Sequence, residues 1–251
     1  MLNTRILHWQ RCNFVPHDYF STAWENAAVS AQLWWMIQKD LVSEWKGKRT
    51  WPAMLLLGLV VAVVFNIQTS LLPDQKQQIS GALLWLAIFL SSLVAIDRSC
   101  SSELADGCWE GLLSYPVSPA VVYWAKFLVN AMALAILESV LIPSFAALSG
   151  VELFRPIWAI TLVAMAANLG LSAVGTLLSA LVNGIRQGGQ TLVVLVLPLV
   201  IPVIVAAAEA TRLIAVGQID AEWWRWLQLL AGFAVVYVTA GTVLIEFIVE
   251  D

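Results

Sequence analysis

The chain has 251 residues, of which 60% are apolar and only 12% charged. Soluble domains carry roughly 45–50% apolar and about 25% charged residues, so both values point to an integral membrane protein. A net charge of −4, from 13 Lys and Arg against 17 Asp and Glu spread over short loops, excludes a basic field for gripping nucleic acid.

Met1 to Tyr19 shows no periodicity, and residues 1–20 read as a loosely ordered tail. The stretch from Ile6 to Phe14 is interrupted by His8, Gln10, Arg11 and Asn13, so it lacks the unbroken apolar centre of a signal peptide. From 21 to 50 the character changes. Thr22 and Glu25 have capping-box spacing, and Trp24, Ala28, Ala31, Trp35, Leu41 or Val42 and Trp45 recur near helical period. This predicts an amphipathic helix lying on the lipid surface, with Lys39, Lys46, Lys48 and Arg49 towards its exit.

Residues 51–251 carry six apolar stretches of spanning length, from Pro52 to Thr69, Ile79 to Ile96, Val121 to Leu148, Ile157 to Val182, Thr191 to Ala208 and Leu227 to Ile248. The fold class that follows is all-α and integral to the membrane, six transmembrane helices preceded by the interfacial one. Pro198 and Pro202 remove backbone donors from the fifth span and should kink or break it. With a cytoplasmic N-terminus, nine Lys and Arg face the cytoplasm and four the other side, in keeping with the positive-inside rule; an even number of spans then returns the C-terminus to the cytoplasm.

Most of the 13 tryptophans fall near span ends, among them Trp51, Trp85, Trp124, Trp158, Trp223, Trp224 and Trp226, as an interfacial aromatic belt requires. The run Trp223, Trp224, Arg225, Trp226 also invites comparison with tryptophan-rich haem-handling motifs. The only histidines, His8 and His17, precede the first span, so a haem platform would lack its usual axial imidazole.

No catalytic residues are identified. H-E-x-x-H, G-x-S-x-G with a usable histidine, and G-x-x-x-x-G-K-[ST] are all absent from the sequence, so neither a metalloprotease, a hydrolase nor an ATPase is supported within this chain. Cys12, Cys100 and Cys108 form neither a disulfide framework nor a zinc spacing, and no metal site is expected.

Between spans two and three the sequence runs from Asp97 and Arg98 through Glu103, Asp106, Gly107, Glu110, Leu113 and Pro116 to Lys126. Acidic residues at 103, 106 and 110, with Trp109, Leu112 and Leu113 alongside, predict a short amphipathic helix with one charged face towards the cytoplasm. A solvated loop with incidental charge is the plainer alternative. The pattern resembles the coupling segment of type 2 ABC exporter permeases, which docks on a separate nucleotide-binding subunit.

A second motif, Gly184, Arg186, Gly188 and Gly189 followed by a Leu-rich run with Pro198 and Pro202 four apart, resembles the CcmB family, the haem exporter B subunit of bacterial cytochrome c maturation. The resemblance covers roughly residues 33 to 248. It implies a permease subunit in the bacterial inner membrane, itself not an enzyme and binding no cofactor directly. Haem would be a cargo, and ATP would sit on a cytoplasmic ABC ATPase subunit. Other cytochrome c maturation membrane proteins would be partners, and ATP turnover would drive haem export or release of a haem-loaded chaperone. Asn130 stands where family members often carry His, so a haem-contacting role is not carried over to it. Independently of any family, the three glycines permit tight turns at the membrane surface, and Arg186 serves either as a positive-inside anchor or as a docking cation.

Glu138 is the ionisable residue most clearly at depth, and intramembrane carboxylates are costly. Lys126 lies twelve residues away, roughly 18 Å along a helix, too far for a pair. Glu138 therefore needs a partner on another helix, a water-filled pocket or a proton, for either a functional or a structural purpose; Asn168 on span four is the neighbour to test. On that span Ala166 and Gly170, and Gly175 and Ser179, have the small-residue spacing of close helix packing, within one bundle or against a second copy in a homodimer. Two rival readings stand beside the maturation permease: a generic type 2 ABC exporter for a lipid, glycan or drug, and a membrane scaffold without ATP-linked work.

Overall fold

The computed structural model describes residues 50–68, 73–105, 118–185 and 190–250, together with 33, 34, 36–38 and 41. The N-terminal tail lies outside the described residues. All regular structure among them is helical: α1 (Thr50–Gln68), α2 (Pro73–Ala105), α3 (Pro119–Ser149), α4 (Ile157–Ile185), α5 (Gln190–Val216) and α6 (Ala221–Glu250). Inside lipid only a helix or a closed barrel satisfies every backbone N–H and C=O, and these sequences take the first route.

Five helices contain stretches long and apolar enough to cross a bilayer: Gln75–Val94, Pro119–Ser149, Ile157–Ser179, Pro198–Val216 and Ala221–Ile245. α1 adds the shorter apolar run Pro52–Ile67. Its 19 residues rise about 28 Å, close to the ~30 Å of a hydrocarbon core. The chain is thus a multi-pass membrane protein.

The helix ends follow local chemistry. Pro119 sits in the first turn of α3, where a missing N–H costs nothing, and Gly150 closes α3 at φ 69°, its N–H donating to the Ala146 carbonyl. Gly217 ends α5 in the same left-handed conformation. The Gly217 N–H reaches the Ile214 carbonyl, and the Gln218 N–H reaches that of Leu213, a Schellman closure. Three residues later the Asp220 carboxylate accepts from the N–H groups of Glu222 and Trp223 and starts α6.

Two sequence expectations change. α5 runs unbroken through Pro198 and Pro202 and continues to Val216, past the expected end at Ala208. The Tyr237 hydroxyl of α6 donates to the Leu199 carbonyl at 2.7 Å, beside the Pro198 carbonyl that Pro202 leaves without its helical donor. A neighbouring helix thus supplies polar contact at the weak point of the ladder. Trp85, expected in the aromatic belt, is instead wholly buried in α2, its indole N–H donating to the Thr211 hydroxyl of α5 at 2.8 Å. Of the interfacial segment, the described residues Leu33, Met36, Ile37 and Leu41 lie against Ala125, Leu128 and Val129 of α3.

α4 is the central helix and touches α2, α3, α5 and α6. Small residues set the close crossings: a Cβ on Gly81 of α2 would overlap the Ala208 carbonyl of α5, and one on Gly241 of α6 would overlap the Tyr123 ring of α3. Gly170 of α4 faces the Val203 side chain of α5, so this part of the small-residue pattern packs within the bundle.

Candidate functional site

Glu138 on α3 is 5% exposed, and Asn168 on α4 is also buried. Asn168 Nδ2 donates to Glu138 Oε2 at 3.3 Å and to the Ala131 carbonyl at 3.2 Å. Ser172 Oγ, one turn along α4, donates to Asn168 Oδ1 at 3.3 Å. A turn further, Thr176 Oγ1 donates to the Ser172 carbonyl and accepts from Asn130 Nδ2 at 2.9 Å. The buried Ser179 extends the row towards the end of α4.

The register explains the arrangement. Glu138 and Asn130 are eight residues apart on α3; Asn168 and Thr176 are eight apart on α4; and the two helices run antiparallel. Each polar residue on one helix therefore meets its counterpart on the other, two rungs roughly 12 Å apart. Buried polar groups in an apolar medium persist when they satisfy one another, and here they pin α3 to α4 in one register. One atom stands outside this accounting: Glu138 Oε1 is buried with no hydrogen-bond partner.

Sequence reasoning singled out Glu138 and Asn168, and the structure brings them together. It passed over Ser172, Thr176 and Asn130 as members of the same row. Their signal was polar side chains at 168, 172, 176 and 179, all on one helical face, opposite an equal spacing on α3.

The other expected site residues are distributed as follows. Asp97, Arg98 and Glu103 lie on the continuation of α2, which runs to Ala105 instead of ending at Ile96. Lys126 lies within α3, inside the span expected from Val121, and is half-buried. Asp106, Gly107, Glu110, Leu113 and Pro116 lie outside the described residues, as do Arg186, Gly188 and Gly189. Gly184 falls in the last turn of α4.

At the opposite end of the bundle Trp158 of α4 and Trp223 and Trp224 of α6 form an edge-to-face cluster, with centroid separations of 5.4 and 5.0 Å. Trp223 is fully buried, and its two neighbours are exposed, as suits rings at a membrane boundary. Nearby on α5, Arg212 Nε meets Glu209 Oε2 at 2.7 Å. Among the described residues no group of three or more His, Cys, Asp or Glu is placed to hold a metal ion.

The family model described as CcmB protein matches residues 31–249. Among curated proteins, the chain is 27% identical over 183 residues to "Heme exporter protein B" of Pseudomonas aeruginosa, covering 72% of this chain and 80% of that protein. It is 29% identical over 167 residues to the protein of that name from Rhodobacter capsulatus, covering 66% and 72%. The Escherichia coli K12 protein of the same name is 33% identical over 156 residues, covering 61% and 69%. With a match over residues 31–249, the chain belongs to the CcmB protein family.

Proposed function

We propose that this chain is the membrane-spanning subunit of an ABC-type haem exporter of cytochrome c maturation, seated in the bacterial inner membrane with both termini in the cytoplasm. The observation that carries the reading is the family match over residues 31–249, together with relatives that bear the name heme exporter. ATP hydrolysis belongs to a separate cytoplasmic subunit, since the sequence holds no P-loop. That work drives haem export or the release of a haem-loaded chaperone from other maturation proteins in the same membrane. Two copies of the chain would form the permease.

The bundle offers a route for the work. α2 has 33 residues and is about 50 Å long, reaching from its packing against α5 to Ala105, and its last turn includes Glu103, the first acidic residue of the coupling segment. A push on residues 103–113 is delivered along α2 to the Gly81–Ala208 crossing and the Trp85–Thr211 bond. Both are close-packed contacts, which respond by switching between discrete packings. Glu110→Lys tests the docking: it should sharply reduce co-purification of the ATPase with the intact membrane complex. Undiminished co-purification would sink the coupling assignment.

A further inference from the structure

A cavity of about 570 Å³ lies between α3 and α4, walled on α3 from Leu128 to Pro143 and on α4 from Ile157 to Leu169. Those fifteen α3 steps extend about 22 Å, so the cavity is a long groove running along the two helices. Its shape suits one slender chain. Met132 and Met165, 44% and 60% exposed, stand at its mouth, and unbranched thioethers adapt to an irregular apolar guest.

The polar atoms in the wall are nearly all engaged. The hydroxyls of Ser139 and Thr161 donate to the carbonyls of Ile136 and Ile157 on their own helices. The Asn168 amide donates to Ala131 and Glu138, and its oxygen accepts from Ser172. The exception is Glu138 Oε1, which is buried without a partner on a residue that lines the groove. The terminal torsion of a glutamate is broad, so a small turn of the carboxyl presents this acceptor to the groove.

We propose that the groove binds a neutral single-chain lipid, alkyl or isoprenoid, whose hydroxyl donates to Glu138. The depth selects this class. Glu138 is eleven residues, roughly 16 Å, from the end of α3 and inside its apolar stretch Pro119–Ser149, where phosphate and ammonium headgroups are expensive to bring. A hydroxyl is the least costly donor to carry there, and the carboxyl oxygen compensates for its lost hydration. The proposal stands independently of the haem reading, since it rests on α3 and α4 alone.

Photolabelling of the purified full-length protein in lipid nanodiscs with a diazirine-bearing hexadecanol tests it. The label should map to α3 and α4 around Met132, Ala135 and Met165. Hexadecanol should compete about tenfold better than its methyl ether, which keeps the chain and loses the donor. Glu138→Leu should abolish that preference. Ala135→Trp, which fills the groove from the lipid side and leaves the carboxyl in place, should abolish labelling itself. Equal competition by alcohol and ether would reduce the groove to ordinary lipid contact and overturn the proposal. So would absent labelling accompanied by disulfide cross-linking of Met132→Cys copies, which would give the face to a second chain.

Discussion

Replacing Thr211 with Val removes the acceptor of the Trp85 indole and leaves its N–H unsatisfied in a fully buried site between α2 and α5. Side-chain hydrogen bonds between helices in membranes average about 0.6 kcal/mol and reach about 1.7. An orphaned buried donor belongs at the upper end of that range. Thermal unfolding in detergent should therefore show a lowered Tm for Thr211→Val. Trp85→Phe combined with Thr211→Val should cost clearly less than the sum of the two single changes. Strict additivity would mean that the two residues do not act as a pair. The same logic applies to the polar row on α3 and α4. Asn168→Leu strips Glu138 Oε2 of its donor while Oε1 already lacks one, so it should destabilise far more than Ser139→Ala, whose hydroxyl only serves its own helix. Comparable losses in the two variants would argue against the rung between Glu138 and Asn168.

Helices in this bundle are held by close approach more than by apolar burial, because lipid tails are as apolar as the leucines they would replace. Gly81 is the sharpest case. A methyl group there meets the Ala208 carbonyl, which cannot move without shifting α5, whereas Gly232 of α6 has open space around it. Gly81→Ala should cost at least the ~1–3 kcal/mol of overpacking and lower expression of folded protein, while Gly232→Ala should leave both unchanged. A folded Gly81→Ala protein of unaltered stability would contradict the crossing. The spans themselves were legible in the sequence because length and hydropathy alone determine whether a helix can cross. The end of α2 was not, since hydropathy falls at Asp97 while the helix continues in polar sequence to Ala105. The helix through Pro198 and Pro202 was also hidden, because what sustains it includes Tyr237 on another element. Trp85 was misplaced for a related reason: the acceptor of its buried indole N–H, Thr211, lies on another helix. Glu138 announced itself as a costly charge, and Asn168 as its neighbour. Asn130, Ser172 and Thr176 are cheap enough in a membrane helix to pass unnoticed until the antiparallel register pairs them.

Over the whole molecule, α4 sits at the centre with its inner half enclosed by four other helices, while α6 keeps an exposed apolar face including Val235, Val236 and Val243. This division gives the bundle a fixed axis and a lipid-facing flank, and the long α2 connects the interior to the acidic segment after Ala105. The family match extends from residue 31, so the short helical row at Leu33, Ile37 and Leu41 that rests on α3 is part of the family's domain and not an appendage. The central claim is that this architecture serves haem-dependent maturation of c-type cytochromes. Haem staining of membrane proteins separated under denaturing conditions tests it most directly, because only covalently attached haem survives. In cells lacking this gene and any duplicate, the account predicts that the stained bands disappear and return when the gene is restored. Bands that persist at full strength without the gene would contradict it.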